Sequence, residues 1–289
     1  MVLEHLFPED WLERKTKFAF LLGAGYSVIG ISIAKLLFPS DPALVAVAFT
    51  SLLMLPEMYK IFSIEERQEA ESYDQDRKLT FGEILKDDTD FIKVYIFLFL
   101  GILTVYSLAS LMLPSFQINY LFKQQLAMRH VSGGAFFPTG LFWSILTNNF
   151  FVLVACFLIS MVTGDGAIFL ITWNASVWGT IFGVTARNAA ENAGTYALFY
   201  LLLIFIIVFP HMIIEALAYI LGAISGGIIS KDVILEKFES ERFRKVFEEN
   251  FMLFVAAISI LILGAIVETW VLGNVETYRQ IIQLSYGLG

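Results

Sequence analysis

The sequence has few of the residues that soluble enzymes use for catalysis and for solubility. It contains one cysteine, three histidines and seven prolines, and only 16% of its residues are charged. Soluble globular domains carry about 25% charged residues. A single cysteine, Cys156, excludes an intrachain disulfide and a zinc–thiolate cluster. The net charge of −8 argues against a nucleic-acid partner.

Apolar residues are abundant. Hydrophobic residues make up 57% of the chain, aromatic residues 15%, and the mean hydropathy is +0.72. A water-soluble domain of this composition would leave large apolar patches exposed. The expected surroundings are therefore a lipid bilayer, and we predict a multi-pass protein of the cell (plasma) membrane.

Seven segments are long and apolar enough to cross a bilayer, which takes about 20 residues of helix. They run approximately over residues 18–38, 43–62, 91–113, 141–163, 166–185, 195–227 and 251–273. The period-two alternation of membrane β-strands is absent. The predicted fold class is all-α, a polytopic transmembrane helical bundle of about seven spans. Pro39-Ser40-Asp41-Pro42 and Gly164-Asp165-Gly166 predict tight turns between neighbouring spans.

The loops predict an orientation and a division of the chain. Most Lys and Arg residues outside the spans lie in the N-terminal tail and in the loops after the second and sixth spans. The positive-inside rule then places the N-terminus inside and the C-terminus outside. We divide the chain into an N-terminal transmembrane hairpin with an acidic cytoplasmic loop (1–90) and a five-helix membrane core (91–289). Between Pro114 and Pro138 the pattern predicts an amphipathic helix at the outer interface.

Polar side chains inside the predicted spans are the candidate functional residues, because an ionisable group there costs about 2.5–3.5 kcal/mol on insertion scales. His211 and Glu215 share one face of the sixth span. We expect one intramembrane polar cluster built from the last four spans. Its members are Asn148, Asn149, Asn174, His211, Glu215 and Glu268.

Three interpretations of this cluster stand side by side. The polar groups satisfy one another and fix the packing of the helices, or they line a cavity for a proton, an ion or a polar solute. In the third, His211, Glu215 and Glu268 hold a hydrolytic zinc ion. No GxSxG, HExxH or Walker motif is present, so we predict no catalytic residues, no resident metal and no cofactor.

Small residues continue the face of the sixth span beyond Glu215. This small-residue stripe consists of Ala218, Gly222 and Gly226. Small residues let another helix approach closely in a membrane. The stripe therefore predicts a helix-packing surface and favours a homo-oligomer, with a dimer as the first choice.

The motifs in the last four spans resemble those of a known family. The run Ile145-Leu146-Thr147-Asn148-Asn149-Phe150 is followed by Gly164 and Gly166, then Asn174 and Gly179, and then Phe209-Pro210-His211-Met212-Ile213-Ile214-Glu215 with Gly222. In type and order these residues resemble the stage II sporulation protein M (SpoIIM) family over about residues 91–289. Pro-His-x-x-x-Glu is the most specific element. Met212 stands where the family commonly has Gly.

The resemblance implies an integral membrane protein with five core helices and no evident catalysis of its own. In sporulating bacteria, members resemble scaffolds that recruit a cell-wall-degrading machine during engulfment. Our first hypothesis is a non-enzymatic scaffold or subunit of a membrane complex, self-associating or bound to another membrane protein. The alternatives are a transporter or channel that uses the polar cluster and an intramembrane metallohydrolase.

Overall fold

The computed structural model describes residues 17–72, 89–131, 140–235 and 241–287, which form ten helices and no strand. We number them α1 (Lys17–Leu37), α2 (Pro42–Ser72), α3 (Thr89–Met112), α4 (Ser115–Leu121), α5 (Lys123–Val131), α6 (Leu141–Thr163), α7 (Ala167–Ala193), α8 (Ala197–Leu235), α9 (Glu241–Asn274) and α10 (Glu276–Ser285). The predicted all-α class is confirmed.

Within the part of the chain that the structure describes, six helices are long and apolar enough to cross a membrane. They are α1, α3, α6, α7, α8 and α9, and they correspond to six of the seven predicted spans. The remaining helix, α2, has a shorter apolar part, Pro42–Met58, and continues into charged sequence as far as Ser72. Large apolar side chains such as Phe151, Val162 and Ile206 are exposed on the outside of the bundle, where lipid would cover them.

Both predicted turns lie where the sequence placed them. Helix α1 ends at Leu37 and α2 begins at Pro42. Proline suits the first turn of a helix, because the N–H that it lacks would have no partner within the helix there. Between α6 and α7, Gly164 has φ of 79°, which glycine adopts without strain. The backbone N–H of Gly166 donates to Thr163 Oγ1 at 3.0 Å. The two helical hairpins are therefore closed by local interactions.

The helices form a continuous series of packed neighbours. Helix α2 packs on α1, α1 on α3, α3 on α7 and α7 on α8, and α8 also packs against α6 and α9. A Cβ atom at Gly179 would meet Leu103, and one at Gly183 would meet Ser107, one turn further along both helices. Helices α3 and α7 therefore run in the same direction and approach to backbone contact.

The small-residue stripe packs inside the chain, which corrects its interpretation as a dimer surface. A Cβ atom at Gly222 would collide with Leu153 of α6, and one at Gly226 with the Phe157 carbonyl oxygen. Ala218 is fully buried. Because α6 already occupies this face, the stripe cannot also hold a second copy of the chain. The oligomeric state stays a prediction without this support.

The segment after α3 packs on the bundle as two short helices rather than forming one interfacial helix. Ile118 and Leu121 of α4 and Phe122 after it are buried, and the rings of Phe122 and Tyr106 have centroids 5.2 Å apart. The Tyr120 hydroxyl donates to the Pro39 carbonyl at 2.6 Å. The segment thus covers the turn between α1 and α2. Residues 132–139, where the predicted helix would have continued, lie outside the described residues.

Helix α10 was not predicted from the sequence. It packs against α7, and the side-chain amide of Asn192 donates to the Leu284 carbonyl at 2.7 Å. At the same end of α7, Arg187 donates to the Leu113 carbonyl after α3 at 2.6 Å. One end of the bundle is therefore closed by polar contacts. Most of the acidic loop predicted before α3 falls on residues 73–88, outside the described residues.

Candidate intramembrane polar site

Glu215 is a carboxyl group in the interior of the bundle. Its side chain is 2% exposed and projects from the middle of α8. A Cβ atom at Gly264 of α9 would lie 3.0 Å from Glu215 Cγ, so the missing side chain at Gly264 makes room for Glu215. The crossing of α8 and α9 therefore determines where this carboxyl group lies.

Glu268 belongs to the same site. It follows Gly264 by one turn of α9 and therefore shares its helix face. Its carboxyl group lies beside that of Glu215, close enough for the two to share a hydrogen bond. Glu268 is partly exposed, whereas Glu215 is enclosed. We call Glu215 and Glu268 the carboxyl pair.

Asn149 is the third member of the site. It lies on the buried face of α6, is 9% exposed, and its side chain is within hydrogen-bond reach of the Glu215 carboxyl. Its amide oxygen accepts a hydrogen bond of 3.3 Å from the Asn148 side chain. The Asn149 amide nitrogen is therefore the group that can donate to Glu215. Asn148 itself lies on the exposed side of α6.

The hydrogen bonding of the site is incomplete. Among the described residues, Glu215 Oε1 is buried and has no hydrogen-bond partner. No Lys or Arg of the described segments interacts with either member of the carboxyl pair. Buried carboxyl groups normally have a basic partner or several donors. The site therefore has capacity for a positively charged or donating partner.

Two residues of the predicted cluster do not join this site. His211 is 6% exposed and lies one turn before Glu215, yet within the described part of the chain it forms no ion pair or hydrogen bond with either carboxyl group, and its Nδ1 has no partner there. The amide of Asn174 donates to the Leu170 carbonyl of its own helix at 2.8 Å. The structure thus brings together Asn149, Glu215 and Glu268, with Asn148 at the edge.

The zinc interpretation finds no support in this geometry. Within residues 17–72, 89–131, 140–235 and 241–287, no three His, Cys, Asp or Glu side chains lie close enough together to hold a metal ion. His211, Glu215 and Glu268 therefore do not form the three-ligand set of a hydrolytic zinc site.

Polar residues in the other half of the bundle are not among the residues predicted from the sequence. Thr172, Ser176 and Thr180 follow one another at four-residue spacing along α7, and all three are fully buried. Gln125 of α5 is also fully buried and donates to Ser176 Oγ at 3.4 Å. The four-residue spacing was the available signal, because it places three hydroxyl groups on one face of a predicted span.

The apolar helices and the carboxyl pair between them define the chain as a polytopic helical membrane protein. More particularly, the chain belongs to the family Stage II sporulation protein M (SpoIIM), which matches residues 18–271. The match confirms the resemblance, and it also includes α1 and α2, which precede the segment on which the resemblance was based. No curated protein and no solved structure matches the chain.

Proposed function

We propose that this integral membrane protein is a transporter or channel for a small ion, in which the carboxyl pair binds a proton or a monovalent cation. Asn149 is the neutral donor that orients Glu215. The proposed membrane is the plasma membrane. This function is the alternative hypothesis from the sequence, and the geometry of the site favours it over a purely structural cluster.

One observation carries the proposal: an enclosed carboxyl group lies beside a second carboxyl group, with no basic partner among the described residues. Two neighbouring carboxylates repel each other strongly where the surroundings are poor in water. They need a shared proton or a bound cation between them. A cluster that only held helices together would be expected to satisfy Glu215 Oε1 with a protein group.

The two carboxyl groups have different exposures, which fits uptake and release. Glu268 is partly exposed and near the end of α9, whereas Glu215 is enclosed. An ion that reaches Glu268 first and is then shared with Glu215 would lose its surrounding water in steps. Ionisable residues in membrane spans commonly mark such pathways.

The experiment is charge movement measured on reconstituted protein. Parent protein in liposomes on a solid-supported electrode is exposed to a step in pH, Na⁺ or K⁺. We expect a charge displacement for one of these cations that is lost in Glu215→Gln and Glu268→Gln. Infrared difference spectra of the same step should contain carboxyl bands that are missing in both variants.

The matched control is Glu276→Gln, which removes an exposed carboxyl group of α10 outside the site. It should retain the charge displacement, and size-exclusion profiles should show that all variants fold. Folded parent protein without any displacement, or displacement that is unchanged in Glu215→Gln, would contradict the proposal. The scaffold or subunit role would then be the better hypothesis.

We further propose the full predicted topology, in which α2 also crosses the membrane, the N-terminus is inside and the C-terminus is outside. The short apolar part of α2, Pro42–Met58, is 17 residues long. At 1.5 Å per residue it spans about 25 Å, a little less than the hydrocarbon core of about 30 Å. Such a helix can cross where the bilayer thins slightly.

A further inference from the structure

The junction of α2, α3, α5 and α7 contains a second set of buried polar groups, separate from the carboxyl pair. We call it the hydroxyl–amide cluster, and its members are Tyr106, Ser110, Gln125, Thr172 and Thr180. All five residues are fully buried. In the described part of the chain, Ser110 Oγ, Gln125 Oε1, Thr172 Oγ1 and Thr180 Oγ1 have no hydrogen-bond partner.

Contacts join members of the cluster to the neighbouring helices α2 and α7. Gln125 donates to the Ala43 carbonyl at the start of α2 and to Ser176 Oγ of α7, each at 3.4 Å. Ser176 lies midway between Thr172 and Thr180 on one face of α7. The Tyr106 hydroxyl approaches Thr50 of α2.

Helix α3 completes the junction. A Cβ atom at Gly179, next to Thr180, would lie 2.9 Å from Tyr106 Cβ. One turn later, a Cβ atom at Gly183 would lie 2.7 Å from Ser110 Cβ. The glycines thus bring the polar side chains of α3 against α7. Four helices contribute to this region, and the side chains named here as its members are all uncharged.

Several other hydroxyl groups in the described spans, buried or partly buried, donate to a backbone carbonyl one turn back. Thr50 donates to Ala46, Ser107 to Leu103 and Thr104 to Leu100, at 2.7–2.8 Å. Thr172 and Thr180 make no such bond. Their hydroxyl hydrogens and their lone pairs are both unused, and an unsatisfied buried polar group is costly. A set of this kind needs partners outside the described side chains.

The unused donors and acceptors of the cluster indicate which kind of molecule can bind there. A cation would interact with the oxygen lone pairs but would leave the hydroxyl hydrogens of Ser110, Thr172 and Thr180 without acceptors. An uncharged molecule that both donates and accepts satisfies both. Water commonly does this in buried polar sites with two to four partners.

We propose that the hydroxyl–amide cluster is a second binding site, for small uncharged molecules that both donate and accept hydrogen bonds and that lie along two turns of α7. The occupant is water or a hydroxyl-bearing solute of similar chemistry. The site does not depend on the ion-binding function proposed for the carboxyl pair.

The first test is the sign of a stability change. Thr172→Val and Thr180→Val replace each hydroxyl group by a methyl group of similar size. With the site occupied, both variants lose hydrogen bonds and their Tm should fall. The control is Thr104→Val, whose hydroxyl group bonds only within α3, and its Tm should change little. A Tm that rises in both cluster variants would overturn the proposal, because removing an unsatisfied group stabilises.

The second test identifies the occupant. Pulsed X-ray radiolysis produces hydroxyl radicals from nearby water and should label Phe122, which contacts Tyr106, faster than Phe99, which is equally buried against Trp178. The difference should disappear in the double variant Thr172→Val/Thr180→Val. If a solute binds instead, added glycerol should raise the Tm of the parent more than that of the double variant.

The proposal would be overturned if Phe122 and Phe99 were labelled at the same rate and glycerol raised the Tm of the parent and of the double variant by the same amount. A parent-specific rise of Tm in NaCl or KCl, compared with choline chloride, would also overturn it, because the occupant would then be a cation. Loss of the charge displacement in Glu215→Gln has no bearing on these readouts, so the two proposals can fail separately.

Discussion

At the residue scale, two adjacent asparagines of α6 have different surroundings. Asn149 faces Glu215, whereas Asn148 lies on the exposed side and donates to Asn149. Successive residues on a helix point about 100° apart, so only one of the pair can face the interior. The sequence placed both in the same span, but their individual directions depend on how α6 is rotated against α8.

Asn149→Leu should destabilise the protein by about 1–3 kcal/mol, because Glu215 would lose its amide donor while remaining buried. Asn148→Leu should change stability little, because leucine is favourable on an exposed face in a membrane. Thermal unfolding of the purified variants in the same detergent compares the two. A larger loss in Asn148→Leu than in Asn149→Leu would show that the assigned directions are wrong.

At the scale of elements, helix pairs in this bundle meet through glycine. Gly23, Gly101, Gly183 and Gly226 each face backbone of a neighbouring helix so closely that a Cβ atom would collide. In lipid there is little hydrophobic driving force between helices, so close packing has to supply much of their association. The small-residue stripe of α8 belongs to this pattern.

Gly226→Ala should lower the free energy of unfolding by about 1–3 kcal/mol, the usual cost of overpacking. Its added methyl group would meet the backbone of Phe157 and Met161 on α6. Gly25→Ala is the control, since no atom lies within 4 Å of a Cβ atom at Gly25. Unfolding in detergent gives both values. If Gly226→Ala instead changed the oligomer size and left the stability of the monomer unaltered, the stripe would be a contact surface between copies of the chain.

At the scale of the whole molecule, the bundle has two halves with different polar chemistry. The carboxyl pair lies among α6, α8 and α9, and the hydroxyl–amide cluster lies among α2, α3, α5 and α7. Helix α7 packs on both α3 and α8 and connects the halves. The two proposed sites can therefore be tested separately in one protein.

The proposed topology predicts which engineered cysteines react from outside the cell. Ser40→Cys and Gln280→Cys should react with a membrane-impermeant maleimide on intact cells, whereas Thr89→Cys and Arg244→Cys should react only after permeabilisation. Cys156 is fully buried and gives little background. Equal reactivity of Ser40→Cys and Thr89→Cys from one side would mean that α2 does not cross. An inverted pattern would reverse the orientation.

The sequence by itself determined the helical class, the six helices long and apolar enough to cross a membrane (to within a few residues at most ends), the two tight turns and the family. These are local properties: about 20 apolar residues make a span wherever they occur, and glycine and proline end helices from their own geometry. Helix α10 was missed because a short amphipathic helix packed on α7 carries little apolar signal of its own.

Only the tertiary structure decided which polar residues meet. Glu215 joins Glu268 and Asn149 but neither His211 nor Asn174, the small-residue stripe receives α6, and Gln125 of α5 donates to Ser176 of α7. Each outcome depends on the rotation of a helix about its own axis. That rotation is set by close packing against helices distant in sequence, and no local pattern records it.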